Sequence, residues 1–161
     1  HRVDRRQRQM CIRDRGWKGD FQSFLQFLRT DSRFYYDTGD ELLQAYRAMS
    51  KKIDAFMPTL FKKFPRAPYG VIPIPMESAP YTTTAYYNAP SDGRPGYYYA
   101  NLYKPETRPK YEIPVLSVHE AVPGHHHQIA LAQELENVPK FRKYLSFTSF
   151  VEGWGLSLIH I

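Results

Sequence analysis

The sequence of 161 residues has one cysteine, no long hydrophobic run and no internal repeat. No apolar stretch approaches the roughly 20 residues that a transmembrane helix needs, so we predict no membrane span in this segment. Low-complexity tracts are also absent, and 42% of the residues are hydrophobic, which excludes a disordered composition. The length is sufficient for one domain with a hydrophobic core.

The net charge of +6 gives little support for nucleic-acid binding, because most of it lies at the N-terminus. Residues 1–15 contain six Arg and two Asp, which account for +4 and leave +2 for the rest of the chain. A basic nucleic-acid arm would be the alternative interpretation of this segment. We predict no nucleic-acid partner, since the remaining charge is unremarkable.

The two ends of the chain can be encoded by one short DNA element read in opposite orientations. Back-translation of residues 10–14 gives a stretch whose reverse complement encodes residues 156–161. That element resembles the mosaic-end adapter of transposase-based sequencing libraries. We therefore expect residues 1–15 and 157–161 to be adapter-derived and exclude them from fold reasoning. On this interpretation Cys11 says nothing about the redox compartment, and a missing signal peptide says nothing about localisation.

Hydrophobic spacing and turn residues predict helices towards both ends of residues 16–156, with a small sheet between them. The predicted helices cover residues 17–28, 38 to about 64, 114 to about 135 and 139 to about 151. The predicted strands cover residues 69–75, at a sheet edge, 81–87 and 97–103. Thr38 and Glu41 fit an N-terminal capping box, and Pro58 should kink or divide the second helix. This order predicts an α+β fold that is predominantly helical, with a small β-sheet.

Residues 119–128, which read HEAVPGHHHQ, combine potential metal ligands with a carboxylate. A catalytic zinc needs about three protein ligands, but the regular HExxH helix is absent because Pro123 stands where its second His would be. In an unbroken helix His126 would return to within about 20° of the direction of His119. A break at Pro123 and Gly124 could instead bring His125 to the metal. We favour the break, because an ideal helix through these two residues is the less plausible assumption.

Glu152 is the candidate third ligand, because it lies alone in the uncharged run of residues 147–155. A carboxylate is costly to bury there unless it is paired with a cation or binds a metal. An ion pair with Arg or Lys is the alternative. The 27 residues after His125 leave room for a helix, a turn and a returning helix.

The pattern HExxPGHxxQ followed by EGW resembles that of the bacterial family known as domain of unknown function 885. Residues 91–101, which read SDGRPGYYYAN, also resemble the segment that precedes this motif in the family. The resemblance implies zincin-like metal-binding helices in a gluzincin-type zinc metallopeptidase. It implies that His119, His125 and Glu152 bind zinc and that Glu120 is the general base. Because the family is several times longer, it also implies that residues 16–156 are a partial catalytic domain, a fragment of a larger domain, and it allows a periplasmic or lipoprotein-anchored location.

The resemblance further implies that residues 97–103 form an edge strand that binds the substrate backbone beside the metal helix. On this basis Arg94, Tyr99 and Asn101 are predicted to bind substrate, with Arg94 meeting a substrate carboxylate. The alternatives are that Arg94 clamps the turn and that the Tyr-rich strands serve packing.

The predicted function is zinc-dependent hydrolysis of peptide bonds, in which Glu120 takes a proton from a metal-activated water. The substrate would be a peptide or small amide. Hydrolysis of non-peptide amides or esters is one alternative, and a non-catalytic metal-binding domain is another. The fragment need not be active by itself, because parts of the family's substrate-binding region are missing.

Overall fold

The computed structural model describes residues 12, 14 and 16–159, which combine helices with a three-stranded sheet. The helices are α1 (Phe21–Thr30), α2 (Gly39–Asp54), α3 (Met57–Leu60), α4 (Ile113–Glu120), α5 (His125–Gln133), α6 (Lys140–Tyr144) and α7 (Thr148–Ile159). The strands are β1 (Tyr69–Pro73), β2 (Ala85–Asn88) and β3 (Gly96–Ala100). About half of the structure is helical, so a mixed helical and sheet fold with a small sheet is confirmed. Most of residues 1–15, and residues 160–161, lie outside the described part, and the adapter origin of both ends stays a prediction.

Helix α2 begins as predicted and ends earlier than predicted. The side chain of Thr38 accepts a bond from the backbone N–H of Glu41, whose carboxylate accepts one from the backbone of Thr38. This reciprocal capping box starts the helix. The helix ends at Asp54, and Pro58 lies in the separate short helix α3, which confirms the predicted division.

The sheet has the order β1-β3-β2, with β1 parallel and β2 antiparallel to β3. Strand β1 confirms an edge strand within residues 69–75, but the strand ends at Pro73. The prediction that residues 97–103 form an edge strand is wrong, because β3 is hydrogen-bonded on both sides. Its backbone groups are used within the sheet and cannot pair with a substrate.

The core lies between α2 and the inner face of the sheet. Leu42 and Tyr46 share one face of α2, and Tyr46 packs edge-on against Tyr98 of β3 with ring centroids 5.6 Å apart. Both tyrosines are fully buried. The small residues Gly96 and Ala100 flank Tyr98 on the same face of β3, which allows helices to approach the strand closely.

The predicted last helix, residues 139–151, is wrong in extent. Helix α6 ends at Tyr144, and α7 begins at Thr148 and continues to Ile159. Glu152 therefore lies one turn inside α7 rather than beyond the end of a helix. None of the helices in the described residues has the length and apolar character needed to cross a membrane.

Candidate metal centre

The predicted break in the helix after His119 is present. Helix α4 ends at Glu120, residues 121–124 form a connector, and α5 begins at His125. A Cβ atom at Gly124 would overlap the backbone carbonyl groups of His119 and Val118, so no side chain fits there. The connector brings the ring of His125 beside that of His119, with centroids 4.5 Å apart.

Three potential metal ligands converge at this point. Nε2 of His119 lies 3.2 Å from Oε2 of Glu152, and Nε2 of His125 lies 3.5 Å from Oε1 of the same carboxylate. One donor atom from each residue lies within 4.8 Å of the others. Ligands at about 2.1 Å from a tetrahedral ion are separated by about 3.4 Å, so this spacing suits a metal ion. Two imidazoles and one carboxylate also suit iron, and the set is therefore not specific to zinc.

The surroundings of His125 favour its metal-binding form. Burial lowers the pKa of His125 first, and the neighbouring His119 lowers it further, while the carboxylate of Glu152 acts in the opposite direction. The net effect keeps the imidazole neutral at neutral pH. A metal binds the neutral ring, so His125 does not have to lose a proton before binding.

Glu120 is a buried carboxylate next to the first potential ligand. Glu120 is the last residue of α4, and only 7% of its surface is exposed. Burial raises the pKa of Glu120 to about 7, and the nearby charge of Glu152 contributes to the increase. A group with a pKa near neutrality can both accept and release a proton under physiological conditions.

Helix α7 is seated against α4 and the connector by two neighbouring residues. A Cβ at Gly155 would lie 2.7 Å from Cε1 and 2.8 Å from Nδ1 of His119, so the glycine provides space for this ring. Nε1 of Trp154 donates to the backbone carbonyl of Pro123 over 2.8 Å. Sequence reasoning missed the close approach at Gly155 and the hydrogen bond of Trp154. A glycine inside a helix costs about 1 kcal/mol relative to alanine, and this was the available signal for a close approach at Gly155.

His126 belongs to a different environment from His125. Its Nδ1 pairs with the hydroxyl of Tyr87 at 2.9 Å. His126 is 2% exposed, and burial lowers its pKa to about 4. A Cβ at Gly96 would lie 2.8 Å from Nδ1 of His126, so this glycine makes room for the ring. His126 is thus bonded towards the sheet, and His125 is the histidine that faces Glu152.

The structure places Asn101 away from the cluster, in a structural position. Asn101 is fully buried, and its Nδ2 donates to the backbone carbonyls of Ala79, Thr82 and Thr83. Its Oδ1 accepts a bond from the backbone N–H of Tyr103. The side chain therefore connects the segment before β2 with the chain after β3. These bonds leave no amide N–H for a substrate.

Tyr99 and Arg94 are not brought to the cluster either. Because strand residues alternate, the side chain of Tyr99 lies on the opposite face of the sheet from Tyr98, which contacts the helices. Tyr99 stacks on Tyr86 with ring centroids 4.7 Å apart. Arg94 donates from Nη2 to Oγ of Ser91 within the loop between β2 and β3. This contact corresponds to the alternative prediction that Arg94 clamps the turn.

The comparisons with known proteins identify the family but no activity. A crystal structure described as that of "the putative lipoprotein from Colwellia psychrerythraea" is similar to this chain, with a TM-score of 0.85 and 30% sequence identity. The similarity covers 92% of this chain and 27% of that chain, so the present chain spans about a quarter of that protein's length. None of the curated proteins matches the chain. The family described as bacterial protein of unknown function (DUF885) matches residues 1–157, and the chain therefore belongs to the DUF885 family.

Proposed function

We propose that this chain carries the metal centre of a zinc-dependent hydrolase that cleaves peptide bonds. The observation that carries the proposal is the convergence of His119, His125 and Glu152, whose facing atoms are 3.2 and 3.5 Å apart. Three protein ligands leave one position for water, which distinguishes a catalytic zinc site from a closed structural site. Helices α4, α5 and α7 would then be zincin-like metal-binding helices, and Glu152 as third ligand corresponds to the gluzincin type.

Zinc bound there would lower the pKa of a coordinated water and polarise the substrate carbonyl. The protein would hold the ion with Nε2 of both histidines and the carboxylate of Glu152. Glu120 follows His119 directly in α4 and would accept the proton that the water releases. Its buried carboxylate, with a pKa of about 7, suits a group that takes up a proton and later returns it to the leaving amine.

In this proposal an extended substrate would bind beside β2 rather than beside β3. Strand β2 is an edge strand in the described part of the chain, because only β3 pairs with it. Tyr87 of β2 lies close to the metal cluster, with its ring centroid 6.4 Å from that of His125. An extended peptide could add to this edge through backbone hydrogen bonds and place an amide near the metal. This arrangement favours a peptide over a compact amide or ester.

Metal content and hydrolysis of the 161-residue chain test the proposal in two steps. We expect about one zinc per chain by elemental analysis, with binding lost in His125→Gln and kept in the matched control His127→Gln. His127 neighbours His125 in α5 but packs against Phe61 instead of facing Glu152. Failure of the wild-type chain to bind zinc stoichiometrically would overturn the proposal.

Hydrolysis is measured by mass spectrometry on a mixture of short synthetic peptides. We expect zinc-dependent cleavage that is lost in Glu120→Gln while zinc binding is kept. Cleavage unaffected by this substitution would contradict the role of Glu120. Zinc binding with cleavage of esters alone would indicate the non-peptide alternative. Because the chain spans about a quarter of the similar structure, zinc binding without any cleavage would agree equally with a non-catalytic metal-binding domain and with an incomplete enzyme.

A further inference from the structure

We propose that Gln128 is a positioning residue, whose Oε1 accepts a hydrogen bond from Nδ1–H of His125 and holds that ring in its metal-binding orientation. The inference rests on the proposed metal site and adds a residue to it. It assigns a role to the glutamine of the HExxPGHxxQ pattern, which the proposed mechanism leaves unexplained. Gln128 would act through His125 and would contact neither the metal nor the substrate.

Two buried atoms without partners carry this inference. Nδ1 of His125 and Oε1 of Gln128 are both buried in the described structure, and neither has a hydrogen-bond partner. Buried polar atoms are nearly always paired in native proteins, because an unpaired one loses its bonds to water without replacement. The two atoms are chemically complementary, since one can carry a proton and the other can only accept.

Their positions in α5 allow the two groups to meet. Gln128 follows His125 by three residues, so both side chains lie on the same side of the helix. Helical side chains tilt towards the N-terminus, which directs the longer side chain of Gln128 back over the turn that contains His125. The bond is not formed in the structure and would require the Gln128 amide to move towards Nδ1 of His125.

The hydrogen bond of the amide nitrogen of Gln128 determines which amide atom is left for His125. Nε2 of Gln128 donates to the backbone carbonyl of Phe150 over 3.5 Å. Phe150 lies in α7, the helix that also carries Glu152. With the amide nitrogen facing this carbonyl, Oε1 remains available as the acceptor. Gln128 would thus connect the helix of the second histidine to the helix of the carboxylate ligand.

Metal binding supplies the donor that this bond requires. Nε2 of His125 faces Glu152, so a metal bound at Nε2 leaves the ring proton on Nδ1. Metal-binding histidines generally donate their other N–H to an oxygen acceptor, which fixes the direction of the ring. The proton on Nδ1 of His125 therefore needs an acceptor. Oε1 of Gln128 is a buried acceptor without a partner in the described residues, and it belongs to a residue one helical turn away.

Zinc affinity of matched variants tests the role of Gln128. Gln128→Leu removes the acceptor, Gln128→Glu keeps one, and Gln133→Leu is the control at the end of the same helix. Competition with a chromophoric chelator gives each affinity. We expect Gln128→Leu to bind zinc 10- to 100-fold more weakly than wild type. Gln128→Glu should stay close to wild type, and Gln133→Leu should not change the affinity.

Nuclear magnetic resonance of the zinc-loaded wild-type chain tests the bond directly and does not depend on any variant folding. We expect a slowly exchanging Nδ1–H signal from His125. Absence of this signal, or equal zinc affinity in wild type and Gln128→Leu, would overturn the role of Gln128 while leaving the metal site intact. A wild-type chain that binds no zinc would overturn both proposals.

Discussion

Replacing Gly155 by alanine should weaken metal binding without unfolding the protein. Alanine stabilises a helix interior by about 1 kcal/mol relative to glycine, so the substitution favours α7 itself. Metal affinity should fall because the new methyl group would lie in space that the ring of His119 occupies. Gly153 in the same helix is the matched control, because a Cβ there would meet nothing within 4 Å.

The size of the effect follows from the distance between the new Cβ and the ring. That Cβ would lie 2.7 Å from Cε1 of His119, whereas ordinary contacts begin at 3.4 Å. The ring or the helix must therefore move by about 0.7 Å, which is large compared with the roughly 0.2 Å tolerance of a metal-ligand distance. Disturbing the support of a ligand typically costs 10- to 100-fold in metal affinity, or about 1.4–2.7 kcal/mol.

Chelator competition measures the zinc affinity of both variants, and denaturation by urea measures the stability of the metal-free chains. Gly153→Ala should raise the free energy of unfolding by up to about 1 kcal/mol and leave zinc affinity unchanged. Gly155→Ala should remain folded and bind zinc at least about tenfold more weakly. Equal zinc affinity in the two variants would show that α7 does not lie against His119 in this way.

Two further predictions concern Glu120 and Asn101. Folding raises the pKa of Glu120 from 4.5 to about 7, so the stabilisation that this group provides at low pH is lost as the pH rises through this range. In urea denaturation of the metal-free chain, Glu120→Gln should therefore have little effect at pH 4.5 and raise the free energy of unfolding by about 3 kcal/mol at pH 8. A difference that does not vary with pH would contradict the burial argument. Asn101→Ala should lower the free energy of unfolding by about 2–4 kcal/mol at unchanged zinc affinity, because four backbone groups lose their partner. Weaker zinc binding at full stability would instead connect Asn101 with the site.

Several features of the protein follow from local rules and could be predicted from the sequence. The capping box of Thr38 and Glu41 satisfies backbone groups within one turn, so its effect does not depend on distant residues. Pro123 and Gly124 interrupt a helix wherever they occur together, which predicted the connector between α4 and α5. Glu152 stood out because a lone carboxylate in an apolar run requires a partner.

Other features depend on contacts between distant segments. Strand order is set by pairing across the sheet, and only the structure showed that β3 is central and that β2 is the edge near the cluster. The choice between His125 and His126 depends on what each ring meets in space, since Tyr87 lies 39 residues before the histidine that it binds. The contact of Gly155 with the ring of His119 is likewise between residues 36 positions apart in the chain.

The sequence by itself therefore determined which residue types were available for a metal site and where the helix that carries them must break. The tertiary structure decided which histidine faces Glu152 and which of the two edge strands lies near the cluster. The physical reason is that backbone conformation and capping act over a few residues. Ligand geometry and strand pairing arise only when segments far apart in the chain are packed together.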